Sequence, residues 1–248
     1  MKEEEDHLKH IQGAIDGLPE DFNVLEEQID IELQIAYFDM ARKMRAEEMD
    51  QSHMARATAD LYNAAVDLEE KKRLLVQLAA IDDVEAFRVI EAFHKQADDE
   101  IKSWSVLALQ ESRMVIQSSL LGEQQVFIST GLGGKGQNIR YFVAMMHADT
   151  HTAFNDTQRK LVESEFRFFL SESEGELEEI AFDQQFVTAV FLFPLRQNLH
   201  AIFKSFIDEC NQFGNFLSED VIITNVKKLN IEEIKAFINN TKDGREED

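Results

Sequence analysis

The residues Gly131-Leu132-Gly133-Gly134-Lys135-Gly136, inside the stretch VFISTGLGGKGQNIRYFVAMM, carry the spacing G-x-G-x-x-G. Glycines at that spacing let a backbone turn sharply and bring its amides close to a phosphate. A dinucleotide site also needs a helix after the loop, because the helix N-terminus faces the pyrophosphate. The residues that follow, QNIRYFVAMM, are β-branched and aromatic and read as a strand. A P-loop needs Ser or Thr after its lysine, and Gly136 stands there. A kinase-type glycine hairpin needs H-R-D and D-F-G elsewhere, and neither occurs. What remains is a glycine-rich hairpin connection, with Lys135 and Arg140 as its nearest cations. If the loop meets an anionic or backbone ligand, Gly131, Gly133, Gly134, Lys135, Gly136 and Arg140 are the candidate residues.

A second constellation is His147-Ala-Asp149-Thr-His151. Imidazoles and a carboxylate at alternate positions could chelate a metal. No other His or Cys cluster supplies the missing ligands, so the simpler reading is a polar loop before a helix. No metal and no cofactor are expected. His7, His10, His53, His94 and His200 are scattered along helices. The single cysteine, Cys210, lies on the apolar stripe of a helix, where burial favours an inert thiol over a nucleophile. One cysteine allows no intramolecular disulfide, and the polar N-terminus lacks a signal-peptide core, so a cytoplasmic protein is expected. No run is apolar enough to cross a membrane.

The elements that must hold these residues change period near Gly122. Before it, FNVLEEQIDIELQIAYFDMARKMRAEEM and MARATADLYNAAVDLEEKKRLLVQLAAI read as amphipathic helices after a break at Asp16–Asp21. VEAFRVIEAFHKQ and IKSWSVLALQESRMVIQSSLLG follow, with Gly122 as the last cap. After it, QQVFIST, NIRYFVAMMH, ELEEIAFD, QFVTAVFLFP and EDVIITNV read as strands. Helices are expected over FNDTQRKLVESEFRFFLSESE, capped from Asn155–Thr157, over RQNLHAIFKSFIDECNQFG, and over NIEEIKAFINN with Asn230 and Glu233 as a capping box. The order β-β-α-β-β-α-β-α predicts an antiparallel α+β sandwich with helices on one face. The expected domains are 1–122 (all-α), 123–240 (α+β) and an acidic tail at 241–248.

The run LLVQLAAIDDVEAFRVIEAFHKQADDEIKSWSVLALQESRMVIQSSL, about residues 74–120, resembles HEAT-type helical repeats. The shared features are paired short helices, aspartates in the turns, and an apolar pattern through Trp104, Val106, Leu107, Ala108 and Leu109. The resemblance covers about a fifth of the chain and implies macromolecular binding along a helical surface, with no chemistry. Trp104 and Arg113 are the candidate partner contacts.

The charge points the same way. Asp and Glu total 48 against 25 Lys and Arg, a net −23, spread over both halves. Such a surface repels phosphate backbones. The expectation is therefore a non-enzymatic interaction or scaffold protein that docks a protein partner with a basic surface and does not bind nucleic acid directly. The alternative is a small-molecule or nucleotide-binding regulator using the glycine loop.

Overall fold

A computed structural model describes residue 19, residues 22–44 and residues 51–243. The break read at Asp16–Asp21 falls, Pro19 apart, outside the described residues, as do His7 and His10. The chain divides into two compact units, with the boundary between Ser129 and Thr130.

The first unit holds strand β1 (Phe22–Val24), helices α1 (Ile31–Met44), α2 (Gln51–Leu61), α3 (Leu68–Ala79), α4 (Val84–Gln96) and α5 (Asp99–Leu121), and strand β2 (Val126–Ile128). Two expectations are corrected here. The helix read from Phe22 begins only at Ile31, where the Asp30 carboxylate accepts from the amides of Glu32 and Leu33 at 2.8 and 3.2 Å. Residues 22–24 are extended instead, because they pair in parallel with β2 in the register Phe22↔Val126 to Val24↔Ile128. The QQVFIST strand thus forms, but it belongs to the helical unit. The boundary therefore falls after Ser129 and not at Gly122. Gly122 does close α5, at φ 70°. The long helix read from Met54 is broken between Tyr62 and Asp67, and Asp67 caps α3 by accepting from the Glu70 amide.

The core of this unit gathers Leu61, Leu75, Leu78, Ile90 and Leu107, all fully buried. Asp83 caps α4 as Asp67 caps α3, which explains the aspartates between the helices. On α5 the Ser112 hydroxyl is fully buried and has no hydrogen-bond partner among the described residues. Leaving a hydroxyl unsatisfied in an apolar core costs about 1–3 kcal/mol. Ser112→Ala is therefore expected to raise stability, by about 1 kcal/mol, read as an increased urea midpoint at unchanged m-value. A lower midpoint would mean the hydroxyl has a partner.

The second unit is α+β, as the alternation of periods predicts. Its elements are β3 (Gly134–Lys135), β4 (Asn138–Met146), α6 (Asp156–Glu172), β5 (Glu176–Asp183), β6 (Phe186–Pro194), α7 (Leu199–Asn211), β7 (Ile222–Thr224) and α8 (Ile231–Asp243). In space the strands run β3-β4-β6-β5, with β7 also on β4, and all neighbours are antiparallel. From β4 onward this is a β-α-β-β-α-β unit with β7 and β6 flanking β4, the split arrangement called ferredoxin-like. Alternation along β4 and β6 sends Val143, Met145, Val187, Ala189, Phe191 and Phe193 to the face covered by α6 and α7. Phe142, Ala144, Met146, Phe186 and Val190 go to the other face.

That second face corrects the expectation of helices on one side only. Ile234 of α8 is fully buried there, packed with Leu132 and Ile222. The reason is visible in β4, whose last five residues are all buried. A strand apolar on both faces needs cover on both. Helix α8 reaches Asp243, and the rest of the expected tail lies outside the described residues. Among the described residues, no helix is long and apolar enough to cross a membrane.

Candidate functional site

The glycine stretch is a packed hairpin. Residues Thr130 to Gly134 are buried, and only Lys135 to Gln137 reach solvent. β3 and β4 pair as Gly134↔Ile139 and Lys135↔Asn138, leaving Gly136-Gln137 as a two-residue turn with Gly136 at φ 60°. Gly133, at φ 68°, donates its amide to Thr130 O. Leu132 donates to Asn225 O at 3.0 Å, so this amide is occupied by the segment after β7. Gly131 sits against Val226 so closely that a Cβ there would lie 1.8 Å from the Val226 carbonyl oxygen.

The cations of this loop are engaged as well. Arg140 forks onto Glu178 at 2.6 and 2.9 Å and donates a third bond to Leu132 O at 2.8 Å. Since Arg140 and Glu176 both pair with Leu192 of β6, the guanidinium crosses that strand to reach β5. Lys135 lies 3.8 Å from Glu176. The structure thus brings Gly131, Gly133, Gly134, Lys135, Gly136 and Arg140 together, as a clasp between β3, β4 and the acidic edge strand β5.

The two helical-unit candidates are not brought together. Trp104 is 3% exposed, edge-on to Tyr37, with its indole N–H donating to Lys72 O at 3.0 Å. Arg113 is exposed and donates to Gln110 at 3.3 Å. Its neighbour Glu111 accepts from the Tyr37 hydroxyl at 2.6 Å.

His147 ends β4. Its ring is buried edge-on to Phe154 and tilted against Phe216, on the α6/α7 side of the sheet. The Asp149 amide lies 3.1 Å from Nδ1, and the Gln158 side-chain amide 3.5 Å from Nε2. The Asp149 carboxylate folds onto its own turn. The Thr152 hydroxyl at 2.6 Å, followed by the His151 amide at 3.0 Å, holds it below the usual carboxylate range. Asn155 and Gln158 then exchange the reciprocal bonds of a capping box at the start of α6. The His147 ring and the Asp149 carboxylate are thus engaged in this local turn, and no group of three or more His, Cys, Asp or Glu among the described residues could hold a metal.

Cys210, on α7, is fully buried, and burial, reinforced by the fields of Glu165 and Glu209, pushes its thiol up to about 12. Only the thiolate reacts with alkylating agents. Native protein at pH 8 is therefore expected to resist iodoacetamide for hours and to react fully in guanidinium chloride, as intact-mass spectrometry would read. Labelling of the native state would place the thiol at the surface.

A concave feature of this unit lies elsewhere. A cavity of about 260 Å³ opens where the end of β4 meets the start of β7 and the middle of α8. Met146, Ile222, Phe237 and Ile238 supply its apolar part. Thr150, Ser218 and Asp220 supply side-chain oxygens at the rim. Its frame is rigid: Ser218 donates to Met146 O at 2.9 Å, Ala148 donates to Phe216 O at 2.8 Å, and His147 is bridged to Leu217. The alternation that puts Met146 in the cavity turns the His147 ring away from it. His147, Ala148 and Thr150 belong to the constellation at 147–151, and the other lining residues carry no motif in the sequence. The one faint signal is Phe237 in NIEEIKAFINN, an aromatic left 55% exposed.

No protein-family model matches the chain, and no curated protein matches it. Among solved structures it is similar to a protein described as a transposase from Deinococcus radiodurans. That likeness has 12% identity and a TM-score of 0.35, and covers 42% of this chain and 90% of the other. It is also similar to a REP-associated tyrosine transposase bound to a REP hairpin, at 9% identity and a TM-score of 0.33, covering 44% of this chain and 70% of the other. At these values no functional residue is carried over.

Two expectations are nonetheless corrected. The sequence pointed to a protein-binding scaffold with a basic partner and excluded direct nucleic-acid contact. The similar structures are transposases, one of them bound to a REP hairpin, and both expectations are withdrawn, with the glycine-loop regulator offered beside them. A net charge of −23 belongs to the whole chain and not to every patch of its surface. Net charge sets the far field and solubility, and leaves the local surface undetermined.

Proposed function

We propose that the α+β unit binds a small organic molecule in the cavity between β4, β7 and α8. The observation that carries this reading is the cavity itself: about 260 Å³, with an apolar floor and a few polar groups at one rim. That combination is typical of ligand sites, whose usual volumes start at about 300 Å³, so the ligand is compact. Its walls come from three separate segments of the chain, tied by backbone hydrogen bonds, so the site is held open by the fold.

The test is a fragment screen by amide NMR on the full chain. Binding fragments should move the amides of residues 146–150 and 218–222 together. Ala148→Trp, at an exposed rim position on the cavity side of β4, should abolish those shifts while leaving the rest of the spectrum in place. Shifts that cluster elsewhere, or that survive Ala148→Trp, would defeat the reading. A labelled DNA hairpin titrated under the same conditions measures directly the contact that the charge argument had excluded.

The finer reading of the helical unit, a short HEAT-like stack, belongs to the same proposal. Its support is that α3, α4 and α5 are consecutive and packed on one core, with Asp67 and Asp83 capping α3 and α4. The cytoplasmic setting expected from a lone cysteine goes with it.

A further inference from the structure

We propose that the helical unit holds a site of its own, for a free α-amino acid with an apolar side chain. A cavity of about 350 Å³ lies between the end of α2, the start of α3 and the junction of α4 with α5. That volume is within the usual range of small-molecule sites. Its floor is apolar: Leu61, Phe93 and Ile101 line it and are 0%, 7% and 3% exposed. Tyr62 is a fixed wall beside them and not a donor to a ligand. Its ring lies edge-on to Phe93 at 5.8 Å, and its hydroxyl donates to Val89 O at 3.2 Å. The backbone makes room by leaving the helical conformation at Ala97 and Asp98, which are both extended.

The polar side is charged, and its charges are unspent within the chain. On α3, Lys72 pairs with Glu69 and Arg73 with Glu70. Lys71, which lines the cavity, makes no ion pair among the described residues. Asp98 and Glu100 line the same cavity, and neither carboxylate has a partner among the described residues. Asp98 also makes no side-chain bond to the first turn of α5, whereas Asp67 and Asp83 do cap their helices. One ammonium and two carboxylates thus border one cavity without pairing with one another. An anionic ligand answers Lys71 but meets two carboxylates. A cationic ligand answers the carboxylates and leaves Lys71 idle. A ligand with both charges complements both sides at once. An ammonium and a carboxylate on one carbon occur in a free amino acid and on no residue of a peptide, and the apolar floor receives its side chain.

Three probes with one body separate the possibilities: L-phenylalanine, phenethylamine and 3-phenylpropanoate. Each is titrated into the full chain at fixed ionic strength and followed through the amides of residues 61–71 and 96–101. Phenylalanine is expected to bind about fivefold more tightly than either singly charged probe, the upper end for one partly exposed ion pair. Lys71→Met keeps the long stem and should bring phenylalanine close to phenethylamine. Asp98→Asn combined with Glu100→Gln should bring it close to 3-phenylpropanoate, and Asn is as good a helix cap as Asp, so the fold is kept. If a singly charged probe binds as tightly as phenylalanine, or either variant leaves the ratios unchanged, the amino-acid proposal is overturned. It is overturned equally if no probe moves those amides. Shifts at residues 146–150 and 218–222 report the cavity of the other unit and leave this proposal's outcome to the amides named for it.

Discussion

Gly131→Ala is expected to destabilise the α+β unit by about 3 kcal/mol or more, the upper end of overpacking effects. The added methyl carbon would stand 1.8 Å from the Val226 carbonyl oxygen, 2.7 Å from its carbonyl carbon and 2.9 Å from its Cα. All three are backbone atoms, so no side-chain rotation relieves the clash. The two chain segments must separate by more than an ångström, which breaks the bond from Leu132 N–H to Asn225 O. Leu132, 3% exposed, would then be lifted out of the core under α8. Gly136→Ala is the control in the same loop. Its Cβ would meet nothing within 4 Å, but its φ of 60° is a conformation that costs a residue with a side chain about 1 kcal/mol. Urea unfolding followed by hydrogen exchange of the β4 and β6 amides should rank the pair with Gly131→Ala far the worse. Equal effects would mean that turn conformation, and not the close approach, is what the loop's glycines serve.

The glycine spacing reads as a hairpin connection, and β3 and β4 form one, but nothing near Gly131 in the sequence marks Val226, its neighbour in space. Signals confined to a few residues did translate. Asn230 and Glu233 form the expected capping box, each accepting the other's amide at 2.9 Å. Gly122 closes α5, and the alternating and apolar runs of β5 and β6 are the strands they were read to be. What depends on distant pairing did not translate. Val126–Ile128 reads as a strand, but its partner is Phe22–Val24, which lies across all five helices of its unit. The strand order that places β6 between β4 and β5 has no local signature either. The cavity was invisible for the same reason, because it joins residues near 146, 220 and 237 that share no motif.

Phe166→Ala is expected to cost about 3–5 kcal/mol, the range for a buried phenylalanine truncated to alanine. The run Glu165-Phe166-Arg167-Phe168-Phe169 offers three rings within four positions of one helix, and helical geometry treats them differently. Val162, Phe166 and Leu170 recur every four residues and are all fully buried on the sheet side of α6. Phe166 lies 5.3 Å from the ring of Phe191 on β6, and 5.5 and 5.2 Å from Phe203 and Phe206 on α7. It therefore joins both helices to the central strand, and a cavity left there cannot collapse without moving all three. Phe168 is offset from that stripe by two residues and is 55% exposed, with Phe169 its one ring partner among the described residues. Phe168→Ala should accordingly cost under about 1 kcal/mol, as surface substitutions do. The measurement is the urea midpoint of each variant at constant m-value. A large loss at Phe168 with a small one at Phe166 would require α6 to be rotated by roughly half a turn from the orientation that its four-residue stripe imposes.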